Sequence, residues 1–146
     1  MDISGILIVK ALSSEMDLEL TILQISKRIK KSYGYTHMHV KKLAKEGIIK
    51  SKEIGGSIIC RLNFQSDITI GMLVLISMDK KSKSDLRLER YDYYKYQIVF
   101  LVDDVEYIFE KPSEMFKDVI ANIDFNKLLI VHGHEMFWKF IGEVVE

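Results

Sequence analysis

Four histidines, one cysteine and a pair of adjacent aspartates are the residues of this chain with the most versatile chemistry. Two of the histidines fall in YGYTHMHVKKLAKEGII, Tyr33 to Ile49, where His37 and His39 stand two positions apart. On a helix that spacing sets them about 200° from each other, so one face cannot offer both to a single metal ion. Helical metal pairs use i and i+4 instead. The second group is Asp103, Asp104, His132 and His134, each at the end of a β-rich run. Carboxylates and imidazoles are divalent-ion ligands, but nothing in the spacing gathers these four, and turn aspartates with strand-end histidines are the plainer reading. Cys60 is alone, which excludes an internal disulfide framework and suits a reducing compartment. No Ser/His/Asp, Cys/His or phosphate-loop arrangement is recognisable, so neither an enzymatic activity nor a cofactor is expected.

Charge is more informative than any of these groups. The 146 residues carry 21 Lys+Arg and 21 Asp+Glu, but the balance is uneven along the chain. Residues 1–64 hold 11 basic and 6 acidic side chains, and residues 65–146 hold 10 and 15. Between residues 21 and 64 the count is 10 basic against 2 acidic, a surplus of eight positive charges. A basic half beside an acidic one points to a polyanionic partner for the basic half, with a solvated lysine surface as the alternative. The longest apolar run, Ile68 to Met78, has 11 residues, well short of the roughly 20 that cross a bilayer. With no secretory signal at the N-terminus, a cytoplasmic protein without membrane contact is expected.

The elements that must position these charges follow from periodicity. A helix is predicted over Ile3–Leu12, with Ile6, Leu7, Val9 and Ala11 as its apolar surface. A second is predicted over Glu19–Ile29, with Leu20, Leu23, Ile25 and Ile29 inward and Lys27, Arg28 and Lys30 outward. A third runs from Tyr35 to a stop at Gly47, with Thr36, Val40, Leu43 and Ala44 at the spacing of a buried face. IIKSKEIGGSIICRLNF then holds two β-rich runs around Gly55-Gly56, the signature of a tight hairpin.

Helix, helix, short turn, helix, hairpin is the order of a winged helix-turn-helix, and residues 3–64 resemble the MarR/ArsR-like winged-helix regulators of archaea and bacteria. LTILQISKRI carries the resemblance for the supporting helix, YTHMHVKKLAKEGII for the recognition helix and its exit, and KSKEIGGSIICRLN for the wing. Thr36 departs from the pattern, which usually has a larger aliphatic residue there, and a slightly shifted or looser helix is expected. The resemblance implies that the third helix enters the DNA major groove, with Tyr35, His37, Met38 and Lys41 as candidates for base contact. It makes Lys27, Arg28, Lys30, Lys31, Lys42 and Lys45 candidates for phosphate contact, together with Lys50, Lys52 and Arg61 around the wing.

Beyond the wing, Ser66 or Asp67 can cap a helix over Ile68–Met78 that is apolar nearly all round; the resemblance implies a dimer seam there, and packing on the C-terminal half is the alternative. KKSKSD, Lys80 to Asp85, reads as a loop or hinge. YQIVFLV and VEYIFEK form a hairpin at Asp103-Asp104, or a strand followed by a helix. A helix follows that is capped by Ser113, with Met115, Phe116, Val119 and Ile120 as its apolar face; a strand KLLIVHG and a terminal helix built on Phe137, Trp138, Phe140 and Ile141 complete the chain. LLIVHGHEMFWKFI is similar to the tail of small archaeal nucleotidyltransferase-like domains, but their Gly-Ser phosphate loop and Asp-x-Asp pair are absent, so no transferase activity is implied.

The expected class is α+β: a winged helix-turn-helix over residues 1–64, a connecting or dimerisation helix and hinge over 65–90, and a ββαβα unit over 91–146. The expected function is a sequence-specific, homodimeric, DNA-binding transcriptional regulator. Double-stranded DNA is its partner, and the C-terminal unit serves for dimerisation or for sensing a small-molecule or protein effector. The alternatives are a winged helix that docks on proteins without binding DNA, and a small metal-dependent enzyme built on the C-terminal half.

Overall fold

A computed structural model describes residues 3–15, 18–84 and 93–145. The chain divides into two compact units, Met1–Leu73 and Val74–Glu146, with the boundary inside one helix. Each unit is built on a three-stranded antiparallel sheet, so the class is α+β.

In the first unit the order is α1 (Ile3–Ser13), β1 (Glu19–Thr21), α2 (Ile22–Ile29), α3 (Tyr33–Lys45), β2 (Ile49–Ile54) and β3 (Ser57–Leu62). The sheet order is β1-β3-β2. Helix α1 buries Gly5, Ile8, Val9 and Leu12, at i, i+3, i+4 and i+7, and not the stripe predicted from Ile6 and Leu7. Ile6 is exposed, because the strict helical face runs through Ile8 and Leu12. Glu19–Thr21 is a strand and not the start of a helix, as Leu20 pairs with Cys60 across the sheet. Thr21 then caps α2 reciprocally: its hydroxyl accepts from the Gln24 amide at 3.1 Å, and the Gln24 side chain accepts from the Thr21 amide at 2.9 Å. T-I-L-Q is therefore a capping box, a signal that outweighs the helical periodicity running through it. With α2 starting at Ile22, Leu23 points outward.

Helix α3 begins two residues earlier than predicted, because Ser32 accepts from the Tyr35 amide and so caps a helix that starts at Tyr33. Thr36, Val40 and Leu43 are buried as expected. The Thr36 hydroxyl donates to the Ser32 carbonyl at 2.9 Å, so this residue is satisfied within its own helix. Gly55 and Gly56 both have positive φ, +56° and +83°, the conformation a two-residue hairpin turn demands.

Helix α4 (Asp67–Ser82) is capped by Ser66, which accepts from the Thr69 amide. It extends through Lys80–Ser82, where a loop was expected. Its burial is one-sided: Thr69, Ile70, Met72, Leu73 and Ser77 are buried, whereas Ile68, Gly71, Leu75, Met78 and Ser82 are exposed. The exposed set steps by three and four residues in alternation, which draws one continuous line along the helix.

The second unit continues with β4 (Ile98–Val102), β5 (Val105–Phe109), α5 (Glu114–Asn122), a single 3-10 turn at Phe125–Lys127, β6 (Leu128–His132) and α6 (His134–Val145). The expected ββαβα order is present, with sheet order β5-β4-β6. Asp103 and Asp104 form the hairpin turn at φ +50° and +66°, a conformation that short polar side chains tolerate. Phe100, Phe116 and Phe137 are fully buried, and their rings meet edge-on at 5.3–6.4 Å. Phe116 and Ile120 turn inward as predicted, but Met115 is 68% exposed. Gly133 joins β6 to α6 at φ +73°, and a Cβ there would lie 2.5 Å from the Gln97 carbonyl oxygen.

The exit from α3 depends on buried hydrogen bonds. The Ile48 carbonyl accepts from the Asn63 amide at 3.1 Å and from the Thr69 hydroxyl at 2.8 Å, and the Asn63 side chain donates to the Gly47 carbonyl at 2.8 Å. Replacing Thr69 by Val removes one of these bonds while nearly keeping the volume. We expect a loss of about 1 kcal/mol, read as a lower urea midpoint at unchanged slope.

Candidate nucleic-acid interface

Taking 100° per residue, the side of α3 opposite Thr36, Val40 and Leu43 is formed by Gly34, Met38, Lys41 and Lys45, within an arc of roughly 60°. Met38, Lys41 and Lys45 are exposed, as is Lys42 beside them. His37 and, one turn before it, Tyr33 lie along one side of this stripe, their rings 6.0 Å apart. In the sequence Gly34 carries no signal beyond the low helix propensity of glycine. In the structure a Cβ at Gly34 would meet nothing within 4 Å. The residue is therefore not needed for packing, and its bare backbone lets another surface come close.

Tyr35 is placed differently from its neighbours. Its hydroxyl meets the Ser4 hydroxyl of α1, its ring lies 4.3 Å from that of His39, and the Lys31 ammonium sits 5.5 Å from the ring centroid. Tyr35 thus braces α3 against α1 with the side chain that sequence reading assigned to a base. His39 belongs to the same brace.

The turn between α2 and α3 is short because Lys30 adopts the left-handed conformation, φ +58°, and both its amide and that of Lys31 reach the Ser26 carbonyl. Lys27, Lys30 and Lys31 are exposed around this turn. Arg28 is ion-paired with Glu15, and Arg61 approaches Glu19 at 3.8 Å. Both arginines therefore share their charge with an acid of their own unit. On the wing, Lys50 lies opposite Arg61 and Lys52 opposite Ile59, so the three basic side chains share the sheet face that turns away from buried Ile49, Cys60 and Leu62. The hairpin tip, Ile54 to Ser57, carries no charge.

Residues 1–50 match the model of the family described as winged helix-turn-helix DNA-binding. The element order of residues 3–62, three helices followed by a two-stranded hairpin, is that of a winged helix-turn-helix fold. No curated protein and no solved structure matches the chain. The match covers the three helices of the winged helix and the entry into its wing, and β3 completes the wing beyond it.

Other reactive residues lie outside this face. Cys60 is buried, which pushes its thiol up to about 11 and leaves it an unreactive core residue. Asp103 and Asp104 turn at one end of β4, whereas His132 pairs with Val99 near the other end, roughly 13 Å along the strand. Asp103 is 3.6 Å from the Lys127 ammonium, and a ring nitrogen of His132 is 3.1 Å from the Tyr94 carbonyl. Among the described residues no three His, Cys, Asp or Glu are grouped as metal ligands. No described helix is long and apolar enough to cross a membrane.

His134 has a structural role. Its Nδ1 lies 2.8 Å from the Ser77 hydroxyl, which donates to the Val74 carbonyl and accepts from the Trp138 indole N–H at 3.3 Å. Burial, with Lys81 and His132 nearby, pushes its imidazole down from 6.5 to about 4. The unfolded chain therefore binds a proton first as pH falls, so the stability that neutral His134 supports is complete above pH 6.5 and declines progressively toward pH 4. Trp138 is the only tryptophan, so its fluorescence reports this unit. We expect the urea midpoint followed by that fluorescence to fall between pH 6.5 and 4, and His134→Gln to flatten this part of the profile.

Proposed function

We propose that the chain is a sequence-specific transcriptional regulator that binds duplex DNA as a homodimer, with α3 of each copy in the major groove. The observation that carries this reading is the outward stripe of Gly34, Met38, Lys41 and Lys45 on the third helix of a segment matching a DNA-binding family. Lys41 donates to guanine O6 and N7, His37 serves as a second donor, and Met38 packs on thymine methyl groups. Gly34 lets the N-terminal turn of α3 approach the groove floor. Lys27, Lys30, Lys31, Lys42 and Lys45 contact phosphates, and Lys50 and Lys52 extend these contacts along the wing, where Arg61 contributes less because Glu19 shares its charge.

Binding driven by such contacts weakens steeply with salt, since each neutralised phosphate releases counterions. Fluorescence anisotropy on duplex DNA across a salt series tests this. We expect alanine at Lys41, Lys42 and Lys45 to lower the log–log slope by about 0.9 for each phosphate that is no longer neutralised. Gly34→Leu should keep the fold, because Gly34 is exposed and a Cβ there meets nothing within 4 Å, and yet weaken binding at every salt concentration. Absence of binding at low salt, or a triple lysine variant that binds like the parent, overturns the reading.

The exposed line on α4 supports the dimer. Ile68, Leu75 and Met78 are 54%, 70% and 51% exposed at coiled-coil spacing, and Gly71 between them lets a partner helix approach closely. A two-fold pairing of α4 with its copy covers this line, and half-sites roughly 34 Å apart are the spacing at which two α3 helices would enter successive major grooves. Light scattering should show a dimer that Leu75→Glu converts to monomer, with a matching fall in DNA affinity. A parent protein that is monomeric at the concentrations used for binding sinks the homodimer while leaving DNA binding intact.

A further inference from the structure

The second unit carries a groove that DNA binding does not use. It lies between the β4–β5 hairpin and α5 and has a volume of about 630 Å³. Val105, Tyr107, Met115 and Val119 line it, with Asp118 and Asp124 also on its wall. Val105 is 51% and Met115 68% exposed, so the apolar lining is open to solvent. Asp103 and Lys127, 3.6 Å apart, also line the groove and offset each other, which leaves Asp118 and Asp124 as its net charge.

We propose that this groove binds a short basic peptide segment of a partner protein, in which apolar anchors are flanked by Lys or Arg. Three features select this occupant. The groove combines an apolar lining with surplus negative charge, and residues 93–145 as a whole carry nine carboxylates against five basic side chains. An acidic surface of this kind attracts cationic partners and repels DNA and acidic ones. Among the described residues β5 is the outer strand of its sheet, in the order β5-β4-β6, so its outward edge can accept the backbone of an extended peptide while alternate side chains enter the groove. Met115 supplies an unbranched, polarizable contact that adapts to different anchors.

The site is independent of the winged helix, so its failure and the failure of DNA binding are separable. The test uses the nuclease-treated full chain and three fluorescein-labelled probes: Lys-Lys-Leu-Leu-Lys-Lys, Glu-Glu-Leu-Leu-Glu-Glu and Lys-Lys-Ser-Ser-Lys-Lys. The first is expected to bind at least tenfold more tightly than the other two. Asp118→Asn/Asp124→Asn is expected to weaken it about tenfold, equivalent to about 1.4 kcal/mol, and Met115→Ser to weaken it without changing its salt dependence. All three positions are exposed or lie on the groove wall, and the Asn at 124 retains the cap on the Asn126 amide, so the variants keep the fold. Equal binding of the lysine–leucine and glutamate–leucine probes overturns the proposal. So does unchanged affinity in the double Asn variant. Concentration-dependent self-association that Met115→Ser abolishes, without competition from any probe, assigns the groove to a second copy and also overturns it.

Discussion

The geometry of the first unit depends on the Ile48 carbonyl. It is buried where α3 has just ended, and it accepts from the Asn63 amide and the Thr69 hydroxyl at the same time. Those donors come from the end of β3 and the first turn of α4, so one oxygen ties together the exit of α3, the return of the wing and the start of the next helix. The Asn63 side chain adds a bond to the Gly47 carbonyl, and the Ile48 amide returns to Leu43 in α3 itself. A buried carbonyl left without partners costs about 1–3 kcal/mol, so this arrangement holds as a whole. The direction in which α3 presents its outer face is set here at one end and by the Tyr35–Ser4 contact toward the other.

The outer face then follows from helical geometry. Three residues of α3 are committed to the core, and the positions opposite them are a glycine, a methionine and two lysines. This is a combination of close approach, adaptable apolar contact and positive charge. The two arginines of the segment are not equivalent to its lysines, because Glu15 and Glu19 hold them. Exposed ion pairs of this kind contribute little stability, but they do reduce the charge available to a polyanion. The lysines of the turn and of α3 therefore supply most of the surplus that the sequence shows between residues 21 and 64.

The second unit obeys a different logic. Its stability comes from a phenylalanine cluster under a small sheet and from the Ser77 hydroxyl, where His134, Trp138 and the Val74 carbonyl meet. Histidine in this place acts as a packed, neutral hydrogen-bonding group. The residues that suggested metal chemistry are distributed by the strand itself: β4 separates the aspartate turn from the histidine end. The apolar groove with its two surplus aspartates lies between the β4–β5 hairpin and α5.

Much of the architecture was legible in the sequence. Period-2 runs around Gly55-Gly56 and Asp103-Asp104 marked both hairpins, and the helical spacing of Thr36, Val40 and Leu43 marked the buried face of α3. Local chemistry misread without tertiary context accounts for the errors. Glu19–Thr21 has helical neighbours, and only the pairing of Leu20 with Cys60 makes it a strand. In α1 the apolar residues outnumber the positions the core can take, so periodicity alone could not choose between Ile6 and Ile8. Tyr35 and Gly34 are adjacent and equally helical, yet one is drawn inward by Ser4 and the other is left bare. By itself the sequence determined the helices, the two hairpins and β6, their order and the sign of the charge on each half, because these depend on residues near one another in the chain. Which side chains face outward together, and which acids silence which arginines, was decided only by the tertiary structure, since those partners lie far apart in sequence and meet only through packing.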